Sequence, residues 1–353
     1  MKIVIAADLV PTKETEELFI NADVQGLFGE IGDIVKQADR TIVNLECALT
    51  TSNNEIKKFG PCLKANPKCV GAFKKLGITD VMLANNHVFD FGIKGLKDTV
   101  ETLEKSGLSY GGVGKNDTDS RKPYFIEKDC KKVGVINVCE HEYSYALPNR
   151  MGANPYDPYL TMRDIRALKK EVDFVVVLYH GGKEHCYYPS PRLRTLCQEM
   201  VENGASVVIT QHSHCIGCYE EYKGAHIVYG QGNFHFYLPN MPKTWYSGLL
   251  IELVFCEKVS IKFYPYTSEE KRLCLATGDI YETIMTEFEK HNAELQNGEW
   301  KKGWHNFCEN LNPVWVRGAN RESNPDFFAH CLDCEAHTDV WRELFRTWND
   351  TNG

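Results

Sequence analysis

The sequence predicts an α/β fold, a layered α/β sandwich with a helical C-terminal extension. Three observations carry this. Short apolar runs recur through the first 265 residues, each closed by polar residues. Amphipathic helical patterns separate the early runs, which is the alternation of an α/β body. Only short turns separate the late runs, which calls for an antiparallel part or a second sheet.

The elements follow in order. "IVIAA" (3–7) reads as the first strand. "LFGEIGDIVKQAD" (27–39) carries apolar residues at 27, 28, 31, 34 and 35 and predicts a helix. "TIVNL" (41–45) is the next strand. "PKCVGAFKKLG" (67–77) opens with Pro in its first turn and stops at Gly77. "DVMLA" (80–84) is a strand, and "IKGLKDTVETLEKSG" (93–107) a helix stopped by Gly107. "VGVINV" (133–138) and "DFVVVLY" (173–179) are strands. "SPRLRTLCQEMVENG" (190–204) predicts a helix with Ser190 as N-cap before Pro191 and Gly204 as its stop. "SVVIT" (206–210), "HIVYG" (226–230), "GLLIELVF" (248–255) and "VSIKFYP" (259–265) complete the strands.

From about residue 278 the texture changes. "IYETIMTEFEKHNAELQ" and "HTDVWRELFRTWND" read as amphipathic helices, with a Trp-, Asn- and Gly-rich stretch between them and no element assigned to it. The predicted organisation is a body over 1–277 and an extension over 278–353, packed on the body or building a subunit contact in a homo-oligomer.

Composition bounds the function. Hydrophobic residues make up 43% and charged residues 25%, a soluble globular mix. A net charge of −8 argues against a nucleic-acid partner, and there is no polybasic membrane patch. No run approaches the ~18 apolar residues that insertion into a membrane requires. "MKIVIAADLV" lacks the small-residue cleavage site of a signal peptide, so the expected location is cytoplasmic. The 14 cysteines then read as reduced and mostly buried. Cys215–Cys218 and Cys331–Cys334 offer a four-cysteine zinc site as an alternative, against which their separation of more than a hundred residues speaks.

In an α/β fold ligands sit beyond the carboxyl ends of the strands. The first run ends at Asp8, the second in Asn44 and Glu46, the third in Asn85, Asn86 and His87. Later runs end in His180 with Glu184 and His185, in Gln211, His212 and His214, and at Asn233. One polar residue at a strand end is usually a helix cap. A succession of Asp, Glu, Asn and His is instead the ligand chemistry of divalent metals. In His212-Ser213-His214 the two imidazoles, two residues apart in extended chain, face one side. Six ligands exceed what a four-coordinate ion needs, so two ions are expected, able to clamp a phosphoryl-type group and activate water.

These motifs resemble the CapA-like branch (capsule and poly-γ-glutamate biosynthesis) of the calcineurin-like metallophosphoesterase superfamily. They are "AAD" (6–8), "NLE" (44–46), "ANNH" (84–87), "HGGKE" (180–184) and "HSH" (212–214), with "NNHVFDFG" and "GQGNF" beside them, over about residues 1–265. The resemblance implies two mixed sheets flanked by helices and a metal-dependent hydrolase with two ions of Mn, Fe or Zn. It implies Asp8 and His214 on the first metal, Glu46 as bridging carboxylate, and Asn86, His180 and His212 on the second. His87 becomes the general acid, oriented by Asp90. The resemblance assigns Asn85 no role; as an asparagine it tolerates the left-handed conformation and reads as holding the turn that aims its neighbours. The superfamily's first motif is Asp-x-His, whereas this chain has Asp8-Leu9-Val10, one imidazole short. That departure keeps open a non-catalytic auxiliary role in a capsule machinery.

For a small or oligomeric anionic substrate, the candidate contacts are Asn44, Lys64, Glu184, Tyr188, Arg192 and Asn233, with Tyr187 and the Ser190-Pro191 helix start nearby. Glu140, His141 and Glu142 close another strand and border the same cleft or form a solvated loop. His226, His235, His305, His330 and His337 read as structural.

Overall fold

The computed structural model describes residues 1–140 and 143–350. Strand side chains alternate between two faces, and here both faces are apolar. In the strand Lys2–Leu9, Ile3 and Ile5 enter one buried cluster while Val4 and Ala6 enter another. In Phe174–His180, Val176 and Leu178 join Ile3 and Ile5, while Val175, Val177 and Tyr179 turn the opposite way. The shared cluster therefore lies between two sheets. The other clusters lie under helices: Phe73, Leu76 and Leu96 cover the first sheet, and Leu196, Met200 and Ile165 the second. The result is the expected layered α/β sandwich, two mixed sheets flanked by helices.

The first sheet runs Arg272–Leu275, Val259–Glu269, Ser247–Phe255, Lys2–Leu9, Arg40–Leu45, Asp80–Met82, Ser109–Gly111. From Lys2–Leu9 through Ser109–Gly111 its pairs are parallel; on the other side they are antiparallel. Asn233–His235 adds a short parallel pair to the end of Lys2–Leu9, placing Asp8 between Asn44 and Asn233. The second sheet runs Ile216–Tyr222, Ala225–Gln231, Val207–Gln211, Phe174–His180, Lys131–Cys139, Tyr124–Lys128, parallel in the centre and antiparallel at both edges.

Buried amides tie the two sheets together at one rim. Gln211 Nε2 donates to the carbonyl of Ala6 (3.3 Å) and to Gln231 Oε1 (2.9 Å). Gln231 Nε2 donates to the carbonyls of Ile5 (3.2 Å) and Leu249 (2.9 Å). Asn137 Oδ1 accepts from Ala84 N at 2.8 Å. Gly112 (φ +82°) leaves room for this amide, since a Cβ there would stand 2.0 Å from Asn137 Oδ1.

The structure departs from the sequence reading in several places. The helix expected over 27–39 is two short ones, Val24–Phe28 and Ile31–Lys36, broken at Gly29 with φ +46°. A helix not anticipated, Pro158–Leu168, is capped by Asp157 and makes the crossover that the parallel pair Lys131–Cys139 and Phe174–His180 requires. The unassigned stretch after residue 297 folds as Trp300–Gly318, a helix containing Pro313, and Pro325–His330. Buried Trp304, Cys308 and Trp315 form its stripe, a helical period that its Asn- and Gly-rich composition obscures. Gly278–Asn297 and Glu335–Asp350 are helices as read. Among the described residues no helix is long and apolar enough to cross a membrane.

His235 lies in the core between Phe19 and Phe28, ring centroids 5.1 and 5.3 Å away, with Nε2 at 3.0 Å from the carbonyl of Lys271. Burial pushes its imidazole down to about 4. Between that value and the ordinary ~6.5 the unfolded chain binds the proton and the folded one does not, so stability is lost as pH falls through this window. His235→Phe removes the term. Chemical denaturation at pH 7 and pH 4 should show the wild type losing roughly 2–3 kcal/mol more than the variant.

Candidate metal centre

At the common rim the parallel strands deliver their last side chains to one buried point. Asp8 and Glu46 are fully buried, and Asn44, Asn86, His180, His212, His214 and Asn233 are at most 9% exposed. Asn44 is the hub of the arrangement. Its Nδ2 donates to Asp8 Oδ1 (2.8 Å) and stands 3.2 Å from His180 Nδ1, while its Oδ1 accepts from Asn85 Nδ2 at 3.0 Å. His180 Nε2 faces Asn86 Oδ1 at 2.9 Å and Glu46 Oε1 at 3.3 Å. His212 Nδ1 is 3.8 Å from Glu46 Oε1. His214 Nδ1 is 2.8 Å from Asn233 Oδ1 and 3.5 Å from Asp8 Oδ2.

The chain bends sharply to present the last two imidazoles. His212 and His214 hold φ of +90° and +53°, the left-handed region that side chains of this size seldom adopt. Such backbone persists where its surroundings over-determine it, and it concentrates at functional sites.

The donors fit a divalent cation. Glu46 Oε1 and Oε2 are shut from solvent and have no hydrogen-bond partner among the described residues. Ligand atoms of Glu46, His212 and His214 lie within 4.8 Å of one another. Burial opposes ionisation of Glu46, yet the imidazoles of His180 and His214 outweigh it and hold its carboxyl well below the usual range. Burial, reinforced by the Glu46 carboxylate, pushes Asp8 well above its range. Burial pushes His180 down to about 4 and lowers His214 also. Imidazole nitrogens beside two unsatisfied oxygens of a buried carboxylate are what a metal requires of its ligands.

Beside this cluster stands a second constellation. His87 Nδ1 is 2.7 Å from Asp90 Oδ2 and 3.2 Å from Lys58 Nζ, and Lys58 Nζ is 2.5 Å from Asp90 Oδ1. Lys58 is almost completely buried, its side chain only 3% exposed. Asn85 builds the turn: its Oδ1 accepts from the backbone N–H of His87 (3.1 Å) and Val88 (2.9 Å), and its Nδ2 donates to the carbonyl of Leu45 (2.8 Å). It does so through its side chain, without a left-handed backbone.

The remaining sequence candidates separate. Asn44 and Asn233 sit in the cluster. Glu184 is half-exposed beside Lys183, at 3.3 Å. Three candidates are committed elsewhere. Lys64 Nζ donates to the Ser52 carbonyl (2.5 Å) and Asn53 Oδ1 (2.7 Å), so the lysine that reaches His87 is Lys58. Arg192 is paired with Glu140 (2.9 Å) and Asp339 (2.8 Å), a bridge to the last helix. Tyr188 OH donates to Glu294, and Tyr187 stacks on His291 at 4.7 Å; both rings serve packing against the C-terminal helices. Glu140 is part of that same tie, while His141 and Glu142 lie outside the described residues. The four-cysteine alternative is not formed: the thiols of Cys215 and Cys218 donate to the carbonyls of Cys186 (3.4 Å) and Tyr187 (3.1 Å). Trp245, whose ring is 4.5 Å from that of His214, was not foreseen; nothing in its "KTWYS" context marks it.

The family described as bacterial capsule synthesis protein, PGA_cap, matches residues 2–237. The chain is 26% identical over 245 residues to the capsule biosynthesis protein CapA of Bacillus anthracis, covering 67% of this chain and 60% of that protein. It is 29% identical over 234 residues to the PGA biosynthesis protein CapA of Bacillus subtilis, covering 65% of this chain and 61% of that one. The match thus spans about three-fifths of the length of these curated relatives. A crystal structure of a hypothetical protein from Thermus thermophilus superposes with a TM-score of 0.48 at 15% identity, over 76% of this chain and all of that one.

Metal binding here should be visible in stability. With Mn²⁺ at about a hundred times its dissociation constant, the wild type should gain about 2.7 kcal/mol. Glu46→Gln should abolish most of that gain, and should itself melt somewhat lower than the metal-free wild type, because it removes the charge that His180 and His214 favour in the folded state. Thermal melts with chelator and with Mn²⁺ check this; an undiminished metal response in the variant would contradict it.

Proposed function

The chain belongs to the bacterial capsule synthesis protein family PGA_cap, and we propose on that footing that it is a metal-dependent hydrolase of phosphoesterase type. Its place would be the synthesis of capsule, poly-γ-glutamate or another surface polymer, as the names of its relatives suggest. One observation carries the reading: a buried carboxylate with two unsatisfied oxygens, ringed by three imidazoles, beside an imidazole held by an aspartate and a lysine.

Asp8, His214 and Asn233 form one group of donors, and Asn86, His180 and His212 another, with Glu46 between them. This supports two ions sharing Glu46. When bound, they would supply Lewis-acid stabilisation of an anionic transition state and a water acidic enough to attack. The chain's own residues do the rest. Asp90 Oδ2 accepts from Nδ1 of His87 while Lys58 donates to Asp90 Oδ1, which leaves His87 Nε2 to give a proton to the departing oxygen. Such a centre suits a small or oligomeric anionic substrate.

A second reading has its own observation. The position of the superfamily's first-motif histidine is Val10, 1% exposed and packed in the core. A first-metal group lacking that imidazole is weaker, and a member that keeps the fold as an auxiliary of polymer assembly accords with it.

Metal-loaded protein assayed on a panel of phosphoesters separates the two. For the hydrolase, His87→Ala should lower kcat by about 10²–10⁴ with metal content unchanged. His212→Ala should lose both metal and turnover. A fully loaded wild type inert across the panel supports the auxiliary role.

A further inference from the structure

The stretch "HCLDCEAH" takes no part in the centre described above. It joins the helix Pro325–His330 to the helix Glu335–Asp350. His330 ends the first helix, Asp333 lies in the turn, and His337 sits in the first turn of the second.

One ligand atom from each of these three residues lies within 4.8 Å of the other two. The ring centroids of His330 and His337 are 4.3 Å apart. His337 Nδ1 is 2.8 Å from the His330 carbonyl and 3.2 Å from Asp333 Oδ1. Asp333 Oδ2 stands 3.6 Å from His330 Nδ1, beyond hydrogen-bond reach. That Nδ1 is shut from solvent and has no hydrogen-bond partner among the described residues. Aromatic rings enclose the group: Phe59 stacks on His330 at 4.6 Å, and Trp315 meets His337 edge-on at 5.5 Å. Burial opposes ionisation of Asp333, but His330 and His337 hold its carboxyl below the usual range.

A self-sufficient hydrogen-bonded triad would leave no buried nitrogen idle. Tetrahedral zinc with imidazole and carboxylate ligands at about 2.0–2.2 Å needs roughly 3.3–3.6 Å between ligand atoms. The three donors need to close by only about an ångström to reach that spacing. We propose that His330, Asp333 and His337 form a second divalent-metal site of zinc type, completed by water, that clamps the turn between these helices. The clamp bears on the first centre. Phe59, stacked on His330, follows Lys58, which holds Asp90 and His87; Lys57 also meets Asp326 at 3.8 Å. The tail metal therefore buttresses the loop that carries Lys58.

The test is a metal count on the full chain, stripped with chelator and reloaded with Zn²⁺. His212→Ala/His214→Ala, which disables the first centre, should retain one equivalent per chain and show visible Co²⁺ absorption of a tetrahedral site. Adding His330→Gln should remove that zinc and bleach the Co²⁺ band. In the otherwise wild-type chain, His330→Gln should cost one equivalent and leave the rest. Circular dichroism verifies folding, and His330→Gln, at the more exposed of the two histidines, guards against loss of fold in His337→Gln. A folded His212→Ala/His214→Ala protein that takes up neither Zn²⁺ nor Co²⁺ overturns the proposal. So does a zinc count unchanged by His330→Gln. The count is independent of turnover, so failure of the hydrolase reading does not affect it.

Discussion

Two carboxylates taken out of water at one point, Asp8 and Glu46, set the terms for the structure around them. Burying even one ionised carboxylate costs several kcal/mol unless something charged or hydrogen-bonding meets it. Here Asp8 takes Asn44, and Glu46 takes only the neighbouring imidazoles. Such a site can exist only where rigid elements hold the two carboxyl groups together although burial and the Glu46 carboxylate oppose ionisation of Asp8. Parallel strands from two sheets do this, and Gln211 and Gln231 lock the sheets at the rim where they end. The strained backbone at His212 and His214 belongs to the same account, since conformational energy spent there brings two imidazoles to Glu46.

The long apolar strands, the caps and stops of the helices over 67–77, 93–107 and 190–204, and the order of polar residues at strand ends could all be read from the sequence. Each is a local signal: period, Ser or Pro at a start, Gly at a stop. What escaped was non-local. Arg192 looked like an anion receptor because nothing adjacent to it reveals Glu140, 52 residues away, or Asp339, 147 away. Lys64 and Lys58 are equivalent as letters in one loop, and only the fold sends Lys58 inward to Asp90. The helix Trp300–Gly318 was hidden because Pro313 and its Asn and Gly residues read as loop composition, whereas its spaced tryptophans carry the period.

Arg192 ties the C-terminal helices to the body. Its guanidinium bridges a strand-end residue, Glu140, and a residue of the last helix, Asp339, which also accepts from Ser190 at 2.6 Å. Glu140 in turn accepts from the backbone N–H of Ala336 at 3.1 Å. A buried ion network of this kind contributes little net stability but fixes one arrangement, because any other leaves a charge unpaired. The last helix is thereby held in register beside the rim rather than resting loosely on it.

The turn that ends the third strand shows how these constraints combine. A single amide, Asn85, reaches back to Asn44 and Leu45 and forward to the N–H groups of His87 and Val88. Asn44 already binds Asp8, so the group that fixes this buried carboxyl also fixes the turn carrying Asn86 and His87. The backbone just before it, at Ala84, is tied to the second sheet through Asn137. Asn86 and His87 are adjacent in sequence and face different partners, Asn86 toward His180 and His87 toward Asp90 and Lys58. Because one side chain orients both, a shift that loosened the contact of Asn86 with His180 would also misplace the His87 imidazole, and both placements depend on the geometry of one asparagine.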